Sequence, residues 1–167
     1  MTLRSSVTVT AVALSLACGS TQAVAATCWS QAAVEAAQVR DFETGLMVAT
    51  LRCQIKGTDL SGDYNSFIRH KRTVLTGIND ELRAKFTAQG LRGKAALDAY
   101  DRFVTSLANG YGAGTNAPSC ADYKAIMTTA VSAPASRAAL LDLARQSGSN
   151  PVRHTDRCAP TTIALAK

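Results

Sequence analysis

Histidine is nearly missing from this sequence: His70 and His154 are the only two in 167 residues. Neither stands in a His-x-x-x-His or His-Glu-x-x-His pattern, so no metal site is expected. There is no Cys-x-x-Cys, and the cysteines are widely spaced. That argues against a thioredoxin-like redox centre and against a zinc knuckle. The Gly-x-Ser-x-Gly elbow of one large hydrolase class is absent. No apolar run reaches the roughly 18 residues that a membrane span needs, so no transmembrane helix is expected. No segment alternates apolar and polar residues, and no Asn-Gly or Asp-Gly turn joins two such segments, so strand signals are few. Collagen, coiled-coil and solenoid periods are also missing. Gly110, Gly112 and Gly114 superficially look like a phosphate-binding turn. They follow a helix rather than a strand, and no Gly-Lys-Ser/Thr comes next, so they read as a helix stop and linker. No cofactor is expected.

What remains is an alanine-rich, mildly basic chain. Thirty residues are alanine, 47% are apolar, 5% aromatic and 18% charged, and the formal net charge is +6. Charge is too low and apolar content too high for a disordered chain. Residues 1–25 read as a secretory signal: Arg4 supplies the positive start, Val7 to Ala17 the apolar stretch, and Ala23-Val24-Ala25 the small residues before cleavage. Residues 26–167 then form a single helical domain, expected in the periplasm or secreted. Cys18-Gly19 offers an alternative processing route, acylation as in a bacterial lipoprotein, but Ser15-Leu16-Ala17 fits a lipobox poorly. Removing Cys18 leaves Cys28, Cys53, Cys120 and Cys158, an even set that suggests two disulfides in an exported protein.

The fold class expected is all-α, an antiparallel bundle of about five helices. The first runs from about Ser30 to Cys53, with Ala32, Ala36, Val39, Phe42, Leu46, Ala49 and Cys53 at steps of three and four. Gly45 within it marks a kink or a close helix approach. The second runs from about Asp63 to Gln89 on a stripe from Tyr64 to Phe86, with Asp59, Ser61 or Asp63 as its cap and Gly90 as its stop. The third spans about Lys94 to Asn109. The fourth starts at Ser119, with Asp122 completing a capping box. A short fifth begins near Pro134 and ends before Gly148. The tail after Asn150 is irregular and tied down by Cys158.

This arrangement constrains the disulfides. An unbroken helix from Ser30 to Cys53 is about 35 Å long at roughly 1.5 Å per residue, whereas bridged Cα atoms sit about 4.4–6.8 Å apart. Cys28 therefore cannot pair with Cys53 unless the helix breaks at Gly45. In an up-and-down bundle Cys120 returns to the end that carries Cys53, so Cys53–Cys120 is expected, and Cys28–Cys158 follows by exclusion.

Several polar residues stand out. Lys71 projects onto the middle of the second helix's apolar stripe, where its stem either snorkels out or its ammonium pairs with Glu43. Glu35 falls on the apolar side of the first helix, where antiparallel geometry sets it near Arg83 or Lys85. Together with His70, these two are the candidate catalytic residues of a small hydrolase or lyase. Arg69, Arg72 and Arg83 share the solvent side of the second helix, where they offer a row for a small anion or anionic polymer. Glu81–Lys85, Asp98–Arg102 and Asp142–Arg145 have the spacing of helix-surface pairs. Trp29 is expected to pack over the entrance to the first helix beside Cys28. Nucleic acid is not an expected partner, because the charge excess is moderate and no aromatics interleave the basic row. The leading expectation is an exported helical protein that acts by binding a protein or envelope partner. It requires an exposed apolar groove and no converging polar pocket.

Overall fold

Serine and glycine punctuate the helices where the chain must start and stop. In a computed structural model of the protein, which describes residues 28–112 and 118–159, they bound five α-helices. The leader expected over 1–25, the alternative acylation site Cys18 and Gly114 lie outside these residues. The helices are α1 (Gln31–Ile55), α2 (Ser61–Ala88), α3 (Lys94–Gly112), α4 (Cys120–Ser132) and α5 (Arg137–Gln146), followed by a single 3₁₀ turn, His154–Asp156. Among the described residues no helix is long and apolar enough to cross a membrane.

Helix α1 opens on Ser30, whose Oγ accepts from Ala33 N at 3.2 Å. It closes at Gly57, which takes φ +83°, while the Thr58 N–H folds back onto the Cys53 carbonyl at 2.8 Å. Its six consecutive residues Asp41, Phe42, Glu43, Thr44, Gly45 and Leu46 are all buried. A helix can bury six in a row only when it is surrounded, since one apolar face accounts for three or four per two turns. The other four helices pack around α1, which is the central post of the bundle rather than one wall of it. Its polar residues are satisfied in place: Thr44 Oγ1 donates to Arg40 O at 2.8 Å, and Thr50 Oγ1 donates to Leu46 O at 2.8 Å.

Helix α2 keeps the expected stripe, with Phe67, Leu75, Ile78, Leu82 and Phe86 buried. Its start differs in detail. Leu60 occupies the cap position without a side-chain bond, and Asp59 Oδ1 instead accepts from Ser61 N at 2.9 Å and Ser61 Oγ at 2.6 Å. Helix α3 runs on to Gly112, past the Asn109 stop expected from sequence, because Tyr111 has a packing partner that holds the last turn. Helix α4 carries the expected Ser119–Asp122 capping box. Helix α5 starts three residues later than Pro134: Pro134 holds Ala133 extended (φ −59°, ψ 152°), and Ser136 supplies the cap.

Both expected disulfides are present, Cys53–Cys120 with Cα atoms 5.6 Å apart and Cys28–Cys158 at 5.0 Å. The second ties the tail to the start of α1, where Trp29 N donates to Asp156 O at 2.8 Å and Cys158 N to Trp29 O at 2.8 Å. The Trp29 ring lies beside this clasp, edge-on to Phe86 at 6.0 Å and tilted against Phe103 at 5.3 Å.

Candidate functional site

Helix α4 leans on α2 and touches α1 lightly, while α5 and the end of α3 cover other sides of α1. A cleft of about 530 Å³ opens between them, within the range of small-molecule sites. Phe42, Gly45 and Leu46 of α1 form its floor, Tyr123 and Ile126 of α4 one wall, and Tyr111 and Gln146 the other. A second hollow of about 320 Å³ shares Phe42, Ile126, Gln146 and Ser147 with it and continues the furrow to Thr129 and Leu143.

Gly45 is what lets Tyr111 form a wall. A Cβ at position 45 would lie 2.8 Å from Tyr111 Cζ and 2.9 Å from Cε1, closer than carbon atoms tolerate. The glycine marks a close helix approach rather than a kink. The Tyr111 hydroxyl reaches Asp41, one turn earlier on α1, and donates to its carboxylate. Ser149 Oγ donates to Asp41 Oδ2 at 2.6 Å, and Gln38 Nε2 donates to Ser149 O at 3.0 Å. Burial raises the Asp41 carboxyl above its ordinary value, against the hydrogen bonds from Ser149 and Tyr111. Burial, with the adjacent Asp41 charge, pushes the Tyr111 phenol well above the ordinary tyrosine range. Tyr111 is therefore a fixed donor and not an activated base.

Arg52 Nη1 donates to the carbonyl of Tyr111 at 3.2 Å. Burial raises the Tyr123 phenol, and the positive charge of Arg52 opposes it. The Asp41 carboxylate, next to Tyr111 but outside the cleft lining, is already hydrogen-bonded. The arrangement suits recognition of an apolar group.

The residues singled out in the sequence lie elsewhere. Lys71 is 3% exposed and neither snorkels nor meets Glu43. Its Nζ donates to Val131 O at 3.1 Å and to Ala133 O, at the C-terminal end of α4, where the helix leaves carbonyls without intrahelical partners. Glu43 instead takes the Arg40 guanidinium and the Tyr64 hydroxyl, the latter at 3.1 Å. Burial raises the Glu43 carboxyl, and the Arg40 charge opposes this.

Glu35 does not meet Arg83 or Lys85. It faces α5, with Arg145 Nη2 at 3.4 Å and Arg137 Nη2 at 3.8 Å, because α5 lies over that side of α1. Lys85 lies over the Trp29 ring at 5.5 Å, and Arg83 over the Tyr100 ring at 5.3 Å. Glu81 pairs with Arg137 rather than Lys85. Asp98 pairs with Lys94 at 2.7 Å rather than with Arg102, and Arg145 turns to Glu35 rather than to Asp142.

His70 is exposed on α2. Glu35, Lys71 and His70 share no hydrogen bond or ion pair, and none of them lines the cleft. Arg69 and Arg72 are exposed, Arg69 donating to Ser66 Oγ at 3.0 Å, and Arg83 is also drawn toward Asp80 at 3.7 Å. Among the described residues, no group of three or more His, Cys, Asp or Glu is placed to hold a metal ion.

Sequence reasoning did not single out Tyr111, Asp41, Arg52 or Gln146 as a group. The one signal was Gly45, a poor helix former in the middle of a long helix. Together these features define a disulfide-stapled, all-α bundle with an apolar cleft against its central helix. Comparisons with known protein families, curated proteins and solved structures give no match to this chain.

Proposed function

We propose that this chain is an exported helical binding protein, periplasmic or secreted, whose recognition element is the apolar cleft under Tyr111. The cleft receives an apolar group of its partner. The observation that carries this reading is the furrow itself: Phe42, Leu46, Tyr111, Tyr123 and Ile126 line it together with the uncharged Gln146 and Ser147. Two disulfides support the export reading, since such bridges persist in oxidising compartments. The dispersal of Glu35, Lys71 and His70 favours binding over turnover.

A neutral, environment-sensitive dye tests the reading. Nile red is expected to bind one-to-one with enhanced fluorescence. Ile126→Trp, which fills the furrow from α4, should weaken that binding at least tenfold. Thr76→Trp, on the exposed side of α2, should leave it unchanged. Equal dye binding by both variants would refute the assignment of the cleft.

A further inference from the structure

Beside the cleft stands a cation bonded to the backbone of one of its lining residues, Tyr111. Arg52 stands seven residues after Gly45, two turns further along the same side of α1 and about 10 Å away along the axis. It is half-buried, and among the described residues the Tyr111 carbonyl takes one of its five N–H donors. Among the described residues it makes no ion pair, unlike Arg40, Arg83, Arg137, Arg145 and Arg153. Tyr111, to whose carbonyl it is bonded, lines the cleft, and so does Tyr123, which packs in one cluster with Ala49 and Cys53 on the α1 turns next to Arg52. A planar guanidinium with spare donors and a phenol O–H are donors of the kind that grip a carboxylate. The furrow, floored by Phe42 and Leu46 of the preceding turns of α1, runs past Ile126.

We infer that the cleft takes a small amphipathic carboxylic acid, its carboxylate at Arg52 and Tyr123 and its apolar body along Phe42, Leu46 and Ile126. The inference rests on the cleft being the binding element and adds the charge and class of the ligand. Such an acid meets a donor at one end and hydrocarbon along its length. A cationic amphiphile of the same shape brings its charge against Arg52. A neutral alcohol gains the apolar contact alone.

Octanoate, octanol and octyltrimethylammonium share one chain and differ in the charge of the head. Titration of the full, oxidised protein with each, followed by calorimetry and by NMR shifts, is expected to rank octanoate about tenfold or more above octanol, with the cation weakest. In Arg52→Gln the octanoate advantage should vanish while octanol affinity stays the same, the latter showing that the cleft is intact. Arg52→Lys, which keeps the charge but loses the fork, should retain part of the preference and serves if the glutamine variant does not fold.

Equal binding of octanoate and octanol by the unmodified protein would overturn the inference and leave the apolar cleft standing. Preference for the cation, or a parallel loss of octanoate and octanol in Arg52→Gln, would also overturn it, the second result making Arg52 a cap on α3 and nothing more. If none of the three binds while Nile red still does, the inference falls alone. Failure of the cleft-filling variant to affect Nile red removes the reading beneath it.

Discussion

Replacing Gly45 by alanine sets two known effects against each other. In an ordinary helix interior the change stabilises by about 1 kcal/mol, because alanine loses less conformational freedom. Here the new Cβ would lie 2.8 Å from Tyr111 Cζ and 3.1 Å from its hydroxyl oxygen. Tyr111 sits on α3 with its backbone held by Arg52, so the ring cannot retreat without moving the end of that helix. Overpacking of this kind costs about 1–3 kcal/mol. Displacing the ring also weakens its bond to the buried Asp41 carboxylate, worth about 1.5–3 kcal/mol for a charged acceptor. The balance is a net destabilisation of about 1–3 kcal/mol, or a fall in Tm of roughly 3–10 °C for a chain of this size. The same change made on a Tyr111→Ala background meets no ring and should stabilise by up to about 1 kcal/mol. Thermal and urea denaturation of the four proteins, followed by circular dichroism, gives the double-mutant cycle, with an expected coupling of about 1–4 kcal/mol. A Gly45→Ala penalty of equal size in both backgrounds would refute the claim that Tyr111 is the reason for the glycine.

Three further outcomes follow from the same geometry. Because burial raises the Asp41 carboxyl above 3.8, the folded chain holds that proton more tightly than the unfolded one, and stability falls as pH rises from about 3.8 through the raised value. Asp41→Asn should remove that fall from the stability curve, and an unchanged slope between pH 3 and pH 7, taken as a range of roughly the carboxylate region, would contradict it. Peptide mapping without reduction should recover Cys28 with Cys158 and Cys53 with Cys120; the Cys53→Ser/Cys120→Ser variant should lose about 2–4 kcal/mol in urea denaturation, and a loss near zero would show that the bridge does not constrain the chain. Ser119→Ala removes one half of the α4 capping box and should cost about 1 kcal/mol, measured the same way, whereas a neutral result would mean the helix start is held by the neighbouring disulfide alone.

The sequence carried the helices and the disulfides for the same reason: both are set by spacing. Steps of three and four defined α2 and its stop at Gly90, and helix length alone separated Cys28 from Cys53. Spacing says less about which helix covers which face. The first helix was expected to bury one side, whereas α1 is enclosed, and nothing in an alanine-rich pattern distinguishes the two because alanine fits either environment. That difference misplaced Glu35, which meets Arg137 and Arg145 of α5 instead of α2. Lys71 was legible as an anomaly but not as a contact, since its acceptors are backbone carbonyls and carry no residue identity. The cleft was least legible. Gly45, Tyr111 and Tyr123 are far apart in the chain, and what joins them is a gap between helices rather than a pattern along one.

Helix α4, one wall of the gap, is tied to other helices at both ends. At its start, the Cys120 bridge to Cys53 fixes the helix against the far end of α1. At its end, Lys71 reaches from α2 to the carbonyls of Val131 and Ala133, drawing the last turn toward α2. Burying a lysine is costly unless its donors are satisfied, so this side chain is a demanding way to anchor a helix. What it achieves is position: an apolar residue there would contribute packing but would not fix where α4 ends. Lys71→Met should therefore separate stability from recognition. Its stability penalty is partly offset by better burial, while release of the α4 end lets the helix settle over Phe42 and close the furrow. The expected result is at least a tenfold loss of Nile red binding in a variant that remains helical and disulfide-bonded. Full dye binding by such a variant would mean that the width of the cleft is set elsewhere, by the disulfide or by the packing of α4 on α2.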